Sequence, residues 1–313
     1  MELFTETSTQ NKSDTVFKFI TVLSAGLILV LMAAIFYELL IHSNLSIKKF
    51  GFGFFVSNVW NPVKQNFAAT SSVFGTLIST LIALILATPL SVVIALFLVE
   101  LSPPLISKFL GTAIELLAAI PSIIYGMWGL FVFAPFMSTY VQPVLGKMGG
   151  SLPFFQGPPM GIGMLTAGII LAIMILPFVS SVIRDVFRMV PGVLKESAHG
   201  LGSTLWEVTH RVTIRYGIRG ILGAVFLGLG RAIGETMAVT FVIGNKHGIS
   251  ASLFSPATSI ASTLANEFTE ASEPIYLSSL IELGLVLFLI TFLIQLASQL
   301  WLRSLRKSMG SGL

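Results

Sequence analysis

Charged residues are missing from four long stretches of this chain, 65–99, 116–146, 148–183 and 283–302. Each meets or exceeds the roughly 20 residues that a helix needs to cross a hydrocarbon layer. A further apolar run, 19–37, is bracketed by Lys18 and Glu38. The pattern predicts six spans, near 16–41, 74–99, 109–133, 161–183, 221–244 and 278–302. The expected fold class is therefore all-α, a polytopic membrane protein with six transmembrane helices. The first span reads as a retained helix. Its apolar run is longer than that of a signal peptide, acidic residues (Glu2, Glu6, Asp14) precede it, and no small-x-small cleavage site follows.

Composition agrees: 54% of the 313 residues are hydrophobic and 10% are charged, against about 25% charged in a soluble domain. With no Cys, the chain has no disulfide, no thiolate metal site and no cysteine nucleophile. The net charge of +4 matters by position. Short cytoplasmic loops collect Lys and Arg. With the N-terminus inside, twelve of the 18 basic residues fall on inner segments and five on outer ones, while Arg231 lies within a span. Both termini are expected to be cytoplasmic. The domain map is then a cytoplasmic tail at 1–15 and a six-helix membrane domain at 16–313. The latter carries an outer aromatic loop at 42–72, a cytoplasmic loop at 184–220 and an outer loop at 245–277.

The first outer loop holds Phe50, Phe52, Phe54, Phe55, Trp60 and Phe67, rings suited to an interfacial belt or to docking a partner. The last outer loop gathers Glu267, Glu270 and Glu273 beside a single lysine, Lys246, and reads as a lid or a contact surface. Chemistry is sparse. There is no phosphate-binding Gly-rich loop, since Gly146-Lys147 is followed by Met148 and lacks the earlier glycine. His199 and His210 stand 11 residues apart, which does not give the i, i+4 pair of a helical zinc site. If the protein consumes energy, another chain supplies it.

The loop 184–220 has a helical pattern. Leu194, Ala198, Leu201, Leu205, Val208 and Val212 recur at three- and four-residue steps and form one apolar stripe. Pro191 suits a helix start, and Gly200 and Gly202 should interrupt the helix, giving two short helices at a glycine turn. The run Glu196-Ser197-Ala198, three residues, Gly202, nine residues, Val212-Thr213-Ile214 resembles the EAA loop of ATP-binding cassette (ABC) importer permeases. It departs from the family pattern at Ser197, for Ala, and at Arg215, for Pro. The resemblance implies a type I importer permease fold, and a coupling role for Glu196, Ser197, Ala198 and Gly202 in docking against an ATPase subunit.

Within the fifth predicted span, Arg231 and Glu235 are spaced i, i+4 and so expected on one helix face. At 1.5 Å per residue, Arg231 would lie about 15 Å from the inner end, where an ionised group is costly unless it faces a bundle interior or an aqueous path. Ala224, Gly228 and Ala238 are expected near the same face, leaving backbone open to a neighbour or a ligand. An ion pair that only holds the bundle together is the competing reading. Pro89, Pro121 and Pro177 fall inside spans as kinks or bend points.

The string from Gly228 to Ala238, including Gly230-Arg231-Ala232-Ile233-Gly234-Glu235-Thr236, resembles that of PstC-type permeases of high-affinity phosphate importers. Trp60-Asn61-Pro62, Gly75-Thr76, Pro89-Leu90 and the run from Ile120 to Gly129 agree with it, in the family's order. The resemblance implies a non-catalytic permease subunit for inorganic phosphate in a bacterial or archaeal plasma membrane, with Arg231, Glu235 and Thr236 on the substrate path. It also implies a second, PstA-type permease, two PstB-type ATP-binding subunits that carry the ATP and Mg, and an extracytoplasmic PstS-type phosphate-binding protein; this chain itself would need no cofactor. A permease for another oxyanion such as sulfate or molybdate is the nearest alternative. A channel or secondary transporter would explain Arg231 and Glu235 without needing the EAA-like loop. The charge asymmetry predicts that a cysteine replacing Ser203 is protected from an impermeant thiol reagent added outside intact cells, and reacts once the membrane is opened; labelling in intact cells would reverse the topology.

Overall fold

The computed structural model describes residues 12–149 and 152–310. Of the tail assigned to 1–15, residues 1–11 lie outside this range. Helix α1 (Lys12–His42) is followed by two short helices, α2 (Asn44–Phe50) and α3 (Gly53–Val56). Next come α4 (Thr70–Leu96), which continues as a π-helical turn through Leu101, and α5 (Pro104–Ala118). Helices α6 (Ser122–Trp128), α7 (Ala134–Phe136) and α8 (Gln142–Gly149), joined by π-helical turns, form one rod. After α9 (Met164–Arg188) come α10 (Gly192–Gly200), α11 (Leu205–Val208), α12 (Arg215–Ile233), α13 (Met237–Val242), α14 (Ile260–Glu267) and α15 (Pro274–Gly310). Among the described residues the fold is all-α, and six helical stretches are long and apolar enough to cross a membrane.

Two stretches differ from the hydropathy reading. The predicted third span, 109–133, straddles a break: α5 ends at Ala118 and the crossing stretch is Ser122–Gly149. The residue before a proline is driven out of the α region, so Ile120 cannot carry the helix into Pro121, which instead opens α6 at φ −57° and ψ 135°. The predicted fifth span, 221–244, begins earlier, with a helical stretch at Leu205–Ile233, and stops at Gly234 before α13 resumes.

In lipid, apolar side chains gain little by leaving one apolar medium for another, so helices associate through close backbone approach. Helix α9 sits at the centre of this packing and is the most buried of the six. Its Ala167, Gly168 and Ala172 meet Ser79, Ala83 and Ala87 of α4, and a side chain at Gly168 would collide with Ile82. Farther along α9, Val179, Ile183 and Phe187 pack with Ala95 of α4 and with Ile221 and Ala224 of α12. There Gly217, Gly220 and Gly228 bring α12 close to Phe187, Val186 and Val179. Helix α1 is peripheral and packs along α15, with Phe36 and Phe288 rings 5.6 Å apart. Pro89 and Pro177 lie inside α4 and α9, where Ser91 Oγ donates to the Leu176 carbonyl across the pair at 3.3 Å.

At the end bearing segments 42–72 and 245–277, the aromatic residues are only partly a surface belt. Phe54 and Phe67 are fully buried, and Trp60 packs with them against Ile260, Tyr276, Leu280 and Leu283. Phe52 and Phe55 remain exposed. Glu267 ties the two segments together. Trp60 Nε1 and the Tyr276 hydroxyl each donate to its Oε2 at 2.6 Å, and His247 Nε2 lies 2.8 Å from its Oε1. The Trp60 and His247 rings stack at 5.2 Å. Gly75 and Thr76 at the start of α4 serve the same joint. A side chain at Gly75 would strike the Thr258 carbonyl, and the Ile260 backbone N–H donates to Thr76 Oγ1 at 2.9 Å.

Burial pushes the Glu267 carboxyl up, but the hydrogen bonds from His247, Tyr276 and Trp60, with the charge of His247, outweigh it and hold the group below its ordinary range. A carboxylate with a lowered folded pKa adds stability that is complete above the unfolded value, about 4.3, and vanishes as pH falls through the folded value. At pH 7, Glu267→Gln should cost about 1–3 kcal/mol, read as a lower Tm. The gap from the parent protein should narrow below about pH 4; a gap unchanged from pH 7 to pH 3 would show that the ionised carboxylate contributes nothing.

Candidate functional site

The opposite end, where α9 runs out, carries the EAA-like loop. Pro191 opens α10, and the chain leaves it through Gly202 at φ +87°, a backbone conformation that L side chains rarely adopt. Thr204 then caps α11 by a reciprocal pair: its Oγ1 accepts from the Glu207 N–H while the Glu207 carboxylate accepts from the Thr204 N–H. The two short helices at a glycine turn are thus present. The apolar stripe divides: Val208 is buried, whereas Leu194, Leu201 and Leu205 are exposed, Leu201 by 88%. Trp206, 72% exposed, adds to the uncovered surface. Glu196 and Ser197 are exposed and Ala198 half-buried on the same helix.

What orients this loop is a residue that the pattern of spans did not single out. Glu100, in the π-helical turn that ends α4, is 8% exposed in its side chain. Its Oε1 accepts from Lys195 Nζ at 2.6 Å and from Thr213 Oγ1 at 2.9 Å. One carboxylate therefore joins the end of α4, helix α10 next to Glu196, and the π-helical turn leading into α12. The sequence signal was a lone acid just before Leu101-Ser102-Pro103. Distance in sequence hid its partners, 95 and 113 residues away.

The break in the fifth span changes the reading of Arg231 and Glu235. They do not share a helix face: Arg231 is in the last turn of α12, about 24 Å from its first residue, and Glu235 lies beyond the end. No ion pair joins them among the described residues. Each instead serves a helix terminus. The Arg231 cation sits by the carbonyl end of α12, where positive charge is favoured, and its guanidinium carbon lies 5.7 Å from the Phe178 ring centroid. Glu235 Oε1 accepts the Ala238 N–H at 3.1 Å and caps the start of α13. Arg231 is exposed and Glu235 half-buried. Ala224, Gly228 and Ala238 are not open to a ligand. They are buried, with Gly228 against Val179 and Ala238 against Gly126 of α6. Thr236 lines a mainly apolar cavity of about 510 Å³ whose other walls include Leu39 of α1, Leu264 of α14 and Leu280 and Gly284 of α15. Neither Arg231 nor Glu235 lines it. The structure thus brings Arg231, Glu235 and Thr236 to one helix break, with Thr236 alone of the three lining this cavity.

Six crossing helices with α9 at their centre, an exposed loop at one end and a broken fifth helix define a multi-pass membrane protein. Residues 87–309 match the family described as binding-protein-dependent transport system inner membrane component. The chain is 55% identical over 286 residues to the phosphate transport system permease protein PstC of Mesorhizobium japonicum, spanning 90% of this chain and 88% of that one. It is 53% identical to that of Pasteurella multocida, over 90% of this chain and 89% of that one. The chain belongs to the PstC family of permease proteins. Among solved structures, a bacterial ABC transporter involved in the import of the acidic polysaccharide alginate superposes with a TM-score of 0.62 at 17% identity, covering 94% of this chain and 99% of that one. That likeness shows the permease fold.

The Glu100 joint makes a stability prediction. Glu100→Ala leaves the Lys195 ammonium without its carboxylate and should destabilise the protein by about 3 kcal/mol. Glu100→Gln with Lys195→Gln removes both charges and should recover most of that loss. Thermal unfolding of the purified protein measures both, and equal Tm values for all three forms would remove Glu100 as the joint.

Proposed function

We propose that this chain is the PstC-type half of the membrane unit of an ATP-driven importer of inorganic phosphate. It is a non-catalytic subunit with both termini cytoplasmic. A PstA-type permease completes the path, two PstB-type subunits bind ATP and Mg below it, and a PstS-type protein delivers phosphate from outside. The observation that carries the substrate path is the break at Gly234–Thr236. Transporter sites form where a crossing helix is interrupted and its ends are available to charged ligands. Here the interruption leaves the Arg231 guanidinium exposed, with an aromatic face beside it and no bond to Glu235. A guanidinium presents a planar fork that suits phosphate oxygens.

Coupling falls to the opposite end. Glu196, Ser197, Ala198 and Gly202 form the tip that docks on the ATPase, and the exposed Val193, Leu201 and Trp206 supply its apolar contact. Movement of that tip reaches α4 and α12 through Glu100, because Lys195 and Thr213 share its carboxylate. Orientation follows the basic residues, which crowd the end that bears the loop.

ATP-dependent uptake of labelled phosphate by vesicles containing the purified complex tests this reading, with sulfate and molybdate as non-competing anions. Arg231→Gln should lower uptake at least about tenfold, the equivalent of one lost charge-assisted hydrogen bond, with assembly intact because the side chain is exposed. Adding Glu235→Gln should not restore transport; near parental uptake in that double variant would remove Arg231 from the path.

A further inference from the structure

At the end of α9, a second cluster of cations lies apart from the fifth span and from the coupling tip. Lys108, Thr112 and Glu115 of α5 share one helix face by their i, i+4 and i+7 spacing. Together with Ser107 and with Arg184 and Arg188 of α9, they line a polar pocket of about 290 Å³. Pro104, the first residue of α5, closes one side, and the pocket runs along the flank of this 15-residue helix as far as Glu115. Arg184 is the buried member, with 5% of its side chain exposed. A side chain at Gly111 would collide with its guanidinium, so α5 rests directly upon it. Its Nη2 pairs with Glu115 at 2.5 Å and with Asp185 at 3.5 Å, while its Nε is buried without a hydrogen-bond partner. Arg188 approaches Asp185 at 3.9 Å, and Lys108 has no ion pair among the described residues.

Three cations converge on a small pocket with one lining carboxylate and an unsatisfied buried guanidinium donor. The geometry points to a binding site for a phosphate-type anion, held by Lys108, Arg188 and Arg184 with the hydroxyl of Thr112. Such a group has two sources at the edge of a bilayer, the headgroup of an anionic phospholipid and free inorganic phosphate. Basic pockets between helices at the inner membrane face bind headgroups by this chemistry. The placement on the cytoplasmic side rests on the orientation proposed above. The site lies four residues before Gly192, where α10 begins, so its occupancy bears on the rigidity of the coupling tip.

Equilibrium binding to the purified assembly in nanodiscs tests the site without needing transport or a membrane orientation, so its failure is separable from failure of the importer reading. In one arm, discs of phosphatidylcholine with phosphatidylglycerol are analysed by native mass spectrometry for retained phosphatidylglycerol. In the other, discs of phosphatidylcholine alone receive labelled inorganic phosphate, with Arg231→Gln present so that the path residue does not contribute. One arm should show binding that Lys108→Gln with Arg188→Gln weakens on the order of tenfold or more, and the arm that responds identifies the source. Both residues are solvent-accessible, so the variant should assemble normally. Arg303→Gln, which removes a cation at the same end outside the pocket, should leave binding unchanged. No binding in either arm, binding that survives the double substitution, or an equal loss with Arg303→Gln would overturn the site.

Discussion

The close approach of α4 to α9 is the constraint on which the rest of the molecule depends. Because lipid tails solvate Leu and Ile as well as another helix does, contact must come from backbones that can touch. Ser79, Ala83 and Ala87 on one side and Ala167, Gly168 and Ala172 on the other allow this. The glycines of α12 repeat the device along the second half of α9. With α9 held on both sides, the ends of α4 and α12 are brought within reach of each other and of the loop between α9 and α12. The residues that look most distinctive in the sequence often serve this packing. Gly75 admits the Thr258 carbonyl, and Gly126 and Gly129 admit α13.

Charge inside such a scaffold is tolerated where it is shared or placed at a helix end. Glu100 satisfies an ammonium and a hydroxyl from two other elements, and Glu267 collects three donors from both connecting segments at the far end. These two carboxylates work as joints: each accepts hydrogen bonds from elements distant in sequence. Arg231 and Glu235 follow the other rule, since each lies by a terminus of opposite partial charge. The break between α12 and α13 is therefore stabilised locally, which leaves the guanidinium without a committed partner.

At both helix breaks a side chain or neighbouring backbone satisfies some of the released groups. At Pro121 the Tyr125 hydroxyl donates to the Leu117 carbonyl at 3.0 Å, across the interruption. At Gly234 the backbone N–H groups of Gly234 and Glu235 fold back onto the Gly230 and Ala232 carbonyls. The first break frees α5 to lie over α9 and form the cationic pocket, and the second opens the fifth span beside Phe178.

Much of this was legible in the chain itself. Apolar runs of about 20 residues pointed to membrane-spanning helices, because a helix of that length crosses the bilayer with its backbone groups bonded within itself. The glycine turn at Gly202 was legible too, since stripe, proline and glycine are local signals. Tertiary structure alone decided the partners of the charged groups. Arg231 and Glu235 have the spacing of an ion pair, but whether four residues make a helical turn depends on the chain remaining helical through Gly234; α12 ends at Ile233, and α13 then packs against Gly126. Glu100 could not be matched with Lys195 or Thr213, nor Trp60 with Glu267, because hydropathy reports only which residues leave water. It carries no information about which distant side chains meet once the helices have packed.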